Sequence, residues 1–311
     1  MTGAAGPEVV ALTTTRVAEI LRRQFPEITT AEVSWLGAGY DSTAFDVDHE
    51  WVFRFPMRRD VEQQLLLELK VLPILAPLAP LRVPAFCFHG RPSEWFPFHF
   101  GGYPRIGGIP AILPGAATLR LDDVAPGIGR FLSWLHAFPP DEATRLGVPR
   151  VAIETVLRDA RDESLAEFAN LERAVAGGPP RAWRTFLEQG PQGGSDADPR
   201  PVVVHGDLAA EHVLYDPGAH AITGIIDWSE IAITDASADL AALFHWGGPR
   251  FADAVLAHYD GTVHALTLAR ARYLAACRGV LDVTFGLETG RPEYVDAGLR
   301  ALAACAAPEA A

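Results

Sequence analysis

Between Val202 and Trp228 the chain alternates short β-branched runs with polar ones, and this segment limits the possible folds more tightly than any other. VVVH at 202–205 reads as a short strand, followed by the loop Gly206-Asp207-Leu208-Ala209-Ala210-Glu211-His212. HVLYD at 212–216 is a second strand, PGAH a turn, and AITGIID a third strand ending at Asp227. The last two strands form a hairpin, which folds the two polar loops back beside each other. Loops at strand ends present side chains to a cleft while the strand fixes their backbone. Asp207, His212 five residues on, and Asp227 twenty residues after Asp207 then come together. Phosphoryl transfer needs few parts: a carboxylate that accepts a hydroxyl proton, and oxygen or nitrogen ligands for magnesium between phosphates. This constellation supplies them.

Around that segment the pattern changes character once. Residues 9–24 carry Val9, Leu12, Val17, Ile20 and Leu21 at helical spacing, and 31–56 turn strand-like, with STAFDVD and EWVFRFP alternating apolar and polar residues. Asp60 stands where a cap would start a helix through VEQQLLLELKVLPIL, ending near Pro73–Pro77. Short strands are expected at 84–89 and 95–100, and GGYPRIGG reads as a tight connector without regular structure of its own. Helices are expected near 117–138, 150–176 and 180–189, then a Gly-, Pro- and Asp-rich loop at 190–201. A sheet-rich first third before a helical remainder with a small β insert makes this an α+β chain.

HGDLAAEH followed by IIDW resembles the catalytic and metal-binding loops of the aminoglycoside and macrolide phosphotransferases, relatives of the protein kinases. LGAGYDSTAFDV followed by WVFRFP resembles the nucleotide loop and third strand of the aminoglycoside 2''-phosphotransferases. The resemblance implies a bilobal protein-kinase-like fold, with a small antiparallel-sheet N-lobe over 1–102, a hinge linker over 103–108 and a larger, mainly helical C-lobe over 109–311. It makes Asp207 the catalytic base and places Mg2+ on Asp227 and His212, the latter standing where kinases carry Asn. Gly37, Gly39 and Ser42 fall in the loop over the triphosphate, where glycine permits backbone approach and Ser42 donates to phosphate. Arg54 takes the position of the kinase lysine, oriented by Glu68, and its guanidinium can serve phosphate oxygens bidentately. Tyr103, Arg105 and Ile106 would offer backbone groups to the nucleobase, Pro104 having no N–H to give. The implied activity moves the γ-phosphate of ATP or GTP to a hydroxyl of a small molecule, an aminoglycoside or macrolide antibiotic. A metabolic kinase of the same fold with a choline-like, sugar or amino-alcohol acceptor is the alternative, and a non-catalytic nucleotide-binding relative the third reading.

Composition narrows the partners. A formal charge of −13 over 311 residues argues against nucleic acid, whose phosphates demand clustered Lys and Arg, and permits a cationic acceptor. Glu211, Asp282, Glu288, Glu293 and Asp296 are candidates to line a polyamine pocket. Cys87, Cys277 and Cys305 lie far apart and form no metal or disulfide pattern, which fits a reducing compartment. With no basic-then-apolar leader and no long apolar run, a cytoplasmic monomer without a membrane partner is expected. Other groups are expected in structural roles: His205 shaping the catalytic loop, Asp235 and Asp239 capping a helix or bracing that loop, Glu230 solvated or bracing it, and Glu62 exposed on its helix.

Overall fold

The computed structural model describes residues 12–28, 32–38, 42–116, 118–191 and 200–306. Contacts divide the chain into two compact units, Met1–Leu78 with Arg82–Ile106 and Ala79–Leu81 with Gly107–Ala311.

The first unit contains helix α1 (Thr14–Gln24), strands β1 (Val33–Ala38), β2 (Ser42–Val47) and β3 (Trp51–Pro56), helix α2 (Arg59–Leu75), and strands β4 (Phe88–Gly90) and β5 (Phe100–Pro104). The strands make one antiparallel sheet in the order β1-β2-β3-β5-β4. Alternation along β3 explains its two faces. Phe53 and Phe55 enter a phenylalanine-rich core with Phe25, Phe45, Phe88 and Phe100, in which Phe55 and Phe100 stack at 4.5 Å. Arg54 points the other way, to α2.

Four expectations change here. GGYP is strand, not connector: β5 runs through Gly101 and Gly102, where aromatic rings already fill the space a side chain would need. A Cβ on Gly102 would lie 2.4 Å from the Phe53 ring, and one on Gly101 2.8 Å from Phe86, so ring packing demands glycine inside the strand. That shifts the strands expected at 84–89 and 95–100 to Phe88–Gly90 and Phe100–Pro104. Asp60 is not the α2 cap. The helix starts at Arg59, two residues before the Val61 that an Asp60 cap would require, and Asp60 sits in its first turn, accepting from Arg58 Nη2 at 3.1 Å. Glu62 is not exposed: only 4% of it is accessible, and it accepts both the His99 N–H and the His99 ring at 2.8 Å, tying α2 to the segment before β5.

The second unit runs through β6 (Ile109–Pro110), α3 (Leu121–His136), α4 (Pro140–Leu146), α5 (Ile153–Glu167), α6 (Leu171–Ala174) and α7 (Arg181–Gln189). It continues with β7 (Val202–Val204), β8 (Val213–Asp216), β9 (Ala221–Ile225), β10 (Ala232–Thr234), α8 (Ser237–Leu256), α9 (Ala265–Thr289) and α10 (Pro292–Cys305). The helix expected over 150–176 stops at Glu167, because Phe168–Asn170 tightens into a 3-10 turn that buries Phe168, and Asn170 donates to Glu167 and Thr284. Two small sheets, β6-β8-β9 and β7-β10, carry the loops of interest. None of the described helices is long and apolar enough to cross a membrane.

Candidate active site

The β8–β9 hairpin positions the metal-type residues. Its turn is set by Asp216, whose carboxylate accepts the N–H groups of Gly218 (2.8 Å) and Ala219 (3.2 Å), an Asx turn that starts the return strand. Val213 pairs with Ile225, and the Ile226 N–H donates to the His212 carbonyl at 2.9 Å. His212 and Asp227 therefore flank the same end of the hairpin, with Nε2 of the one 3.7 Å from Oδ2 of the other. Asp227 has a backbone φ of 63°, in the left-handed region that a non-glycine residue occupies only where its surroundings force it.

His212 is oriented from its other nitrogen, where Nδ1 donates to the Asp207 carbonyl at 2.8 Å. Burial alone would lower its pKa, but the carboxylates of Asp207, Glu211 and Asp227 outweigh that and raise it. A cation close to Asp227 would compete with that proton. Asp227 offers the hard carboxylate oxygen that magnesium prefers, an ion that takes most of its other ligands from phosphate and water, while the His212 nitrogen is a softer donor. Among the described residues, no group of three or more His, Cys, Asp or Glu side chains stands where it could hold a metal ion.

The loop bearing Asp207 is braced from beneath. The fully buried Asp239 carboxylate accepts the N–H groups of His205 and Gly206, each at 2.9 Å, and the His136 ring at 3.1 Å. Burial pushes its pKa up, yet the hydrogen bond and charge of His136, with those loop N–H groups, bring it below the ordinary carboxylate value. His205 donates from Nε2 to the Ile226 carbonyl (3.1 Å) and accepts the Asp207 N–H at Nδ1 (3.3 Å), linking both loops. Its burial lowers its pKa, so it serves as a neutral strut. Gly206 has φ 86°, and a Cβ there would lie 2.1 Å from the Glu230 carbonyl. Trp228 is fully buried against His205, so the tryptophan after Asp227 is packing. Asp235 caps the start of α8 through the Ser237 N–H (2.7 Å) and holds Arg270 (2.8 Å).

One partner of Asp207 was not foreseen. Arg278, on α9, donates from Nη1 to Asp207 Oδ1, from Nη2 to Glu211 Oε1 (2.7 Å) and from Nε to Asp282 Oδ1 (3.0 Å). Burial would raise the Asp207 pKa, but the Arg278 charge, followed by that of His212, holds it below the ordinary value and keeps the carboxylate ionised. The only sequence trace of this group is the four-residue spacing of Arg278 and Asp282 on a helix face. Asp207 and Arg278 both line a cavity of about 260 Å³, walled by α5, α8 and α9.

In the first unit, Arg54 Nη1 donates to both Glu68 oxygens, at 3.1 and 2.8 Å, with both residues buried. Ser42 opens β2 opposite Pro56. Gly37 lies in β1, and a Cβ there would meet nothing within 4 Å, so packing within the sheet does not explain the glycine. Gly39 lies outside the described residues. Of the expected linker donors, the Arg105 N–H is engaged with the Glu50 carbonyl at 2.7 Å and its side chain with Asp46 at 2.6 Å. Tyr103 is buried edge-on against Phe86, and Ile106 is buried as well.

The model of the phosphotransferase enzyme family matches residues 32–274. An aminoglycoside 3'-phosphotransferase of Streptomyces fradiae is 38% identical over 66 residues, which cover 19% of this chain and only a quarter (25%) of that protein. Among solved structures, the GDP and kanamycin complex of APH(2")-IIia superposes with a TM-score of 0.69 at 24% identity, covering 92% of this chain and 97% of that one. A macrolide 2'-phosphotransferase type I superposes at 0.61 with 26% identity, covering 95% and 97%.

Proposed function

We propose that this chain, which belongs to the phosphotransferase enzyme family, moves the γ-phosphoryl group of ATP or GTP to a hydroxyl of a small molecule of the antibiotic class. The observation that carries this reading is the meeting of Asp207, His212 and Asp227 at one end of the β8–β9 hairpin, with Asp207 on the wall of a cavity. In the reaction, Asp207 orients the acceptor hydroxyl and takes its proton while the oxygen attacks the γ-phosphorus. The bond from that phosphorus to the bridging oxygen breaks, and the nucleoside diphosphate leaves. Arg54, fixed by Glu68, steadies the donor phosphates. Magnesium held by Asp227 and His212 would supply charge compensation on the donor. An ionised Asp207 with a braced backbone suits the base role, because positioning supplies most of the catalysis in this chemistry.

The test is a panel of hydroxyl-bearing aminoglycosides and macrolides incubated with ATP and with GTP, read by nucleoside diphosphate release and by the mass gain of one phosphoryl group. Asp207→Asn is expected to keep nucleotide affinity and lose roughly 10²–10⁴-fold in turnover, the usual contribution of a positioned base. Product formation by the variant above about a tenth of the wild-type rate would refute the assignment of Asp207.

A further inference from the structure

We propose that Arg278 sets the charge preference of the acceptor site: fixed among Asp207, Glu211 and Asp282, it holds the place an amino group of a polycationic acceptor would take, so the cavity selects a hydroxyl compound whose body is uncharged and apolar. This rests on the cavity beside Asp207 being the acceptor site. Three carboxylates within reach of one point make a natural seat for an ammonium group, and here a guanidinium already occupies it through three separate nitrogens. The occupant is part of the chain. Asp282 lies one turn along the same helix, and its other oxygen lies 2.9 Å from His245 Nε2, so the carboxylate that holds the guanidinium Nε is itself held in place. A tethered partner competes at a high effective concentration against any free amine.

The remaining wall agrees with this preference. Of the three carboxylates only Asp207 lines the cavity, and its Oδ1 faces Arg278. Most of the other lining side chains are small and apolar, among them Ala160, Ala238, Ala241 and Leu281. Glu163 also lines it but is exposed, where water screens its charge. An entering ammonium would have to expel the guanidinium, whose side chain is only 33% accessible, and leave it without its three carboxylates.

Binding is read by calorimetry without nucleotide, using kanamycin and its fully N-acetylated form, which keeps the hydroxyls and loses the charges. Wild-type protein is expected to bind the acetylated form at least as tightly as kanamycin. Arg278→Gln is expected to bind kanamycin at least about tenfold more tightly than wild type, the scale of removing a competing charge from an ion-pair network, with the gain fading as salt rises. Kanamycin binding to R278Q no tighter than to wild type, undetectable binding to both included, overturns the proposal. If R278Q does not fold, the wild-type comparison decides alone: a tenfold or greater preference for kanamycin over its acetylated form overturns it, by the same measure. Since no nucleotide is present, failure here leaves the phosphotransferase reading standing, and absence of phosphoryl transfer leaves the charge preference measurable.

Discussion

Asp239 gives the sharpest test of how the loop bearing Asp207 is held. Its carboxylate is fully buried and accepts three hydrogen bonds, from His205 N–H, Gly206 N–H and the His136 ring. In Asp239→Asn the amide oxygen can replace the Oδ2 that serves His205 and His136, but the NH2 group then faces the Gly206 N–H, donor against donor. Hydrogen bonds to a charged group contribute about 1.5–3 kcal/mol against about 1 for neutral ones, and an orphaned buried donor costs about 1–3. Relief from burying a charge offsets part of this, leaving a net destabilisation of roughly 2–4 kcal/mol. The assay is urea unfolding followed by tryptophan fluorescence, with Trp228 packed directly on His205. The pH dependence supplies a second arm. Asp239 has a depressed pKa in the folded state, so its stabilisation is complete above the ordinary value of 3.8 and fades as pH falls below it. The gap between wild type and D239N must therefore narrow in acid, not widen. Turnover should fall on the order of 10²-fold as the backbone before Asp207 shifts. A change in stability under about 0.5 kcal/mol at neutral pH, typical of an indifferent surface substitution, would refute the bracing role.

Other substitutions probe the rest of the site. Gly206→Ala must either move the Glu230 carbonyl or leave the left-handed φ of 86°, so a loss of roughly 1–3 kcal/mol in unfolding and a parallel loss of turnover are expected. Asp227→Ala should abolish magnesium-dependent nucleotide affinity, and an unchanged calorimetric isotherm for the magnesium nucleotide would sink its metal role. Arg54→Ala should raise the nucleotide KM and lower kcat together while Arg54→Lys recovers much of both. Arg58→Ala and Arg59→Ala should be nearly silent, because Arg58 pairs with exposed Asp60 and the Arg59 side chain is 78% accessible; damage from those two with a silent R54A would reverse the assignment.

Legibility in the sequence follows the range of the interaction. Asp207, His212 and Asp227 could be read because one short hairpin brings them together, with its turn chemistry written in Asp216 and Gly218. Arg54 and Glu68 are named only through the family resemblance, and the structure pairs them across β3 and the helix that follows it. GGYP misled because its glycines answer to the rings of Phe53 and Phe86, which no local pattern announces. Glu62 misled in the same way: its spacing on α2 gave no sign that His99, thirty-seven residues away, would bury it.

The acceptor side shows the limit most sharply, and it lies in the use of net charge. A total of −13 suggests an attraction for cations. Yet beyond roughly 8–10 Å such charges are screened at ordinary salt, so acceptor choice depends on the groups within one or two side-chain lengths of Asp207. Glu211 and Asp282, two acids that suggested a polyamine pocket, are instead joined by the single guanidinium of Arg278, seventy-one residues beyond Asp207. Only the packing of α9 beside the catalytic loop makes that pairing, so counting acids reads the sign of the local field while missing the cation that answers it. With the cavity beside Asp207 as the proposed acceptor site, what the acceptor meets there is fixed by one tertiary contact and not by the composition of the chain.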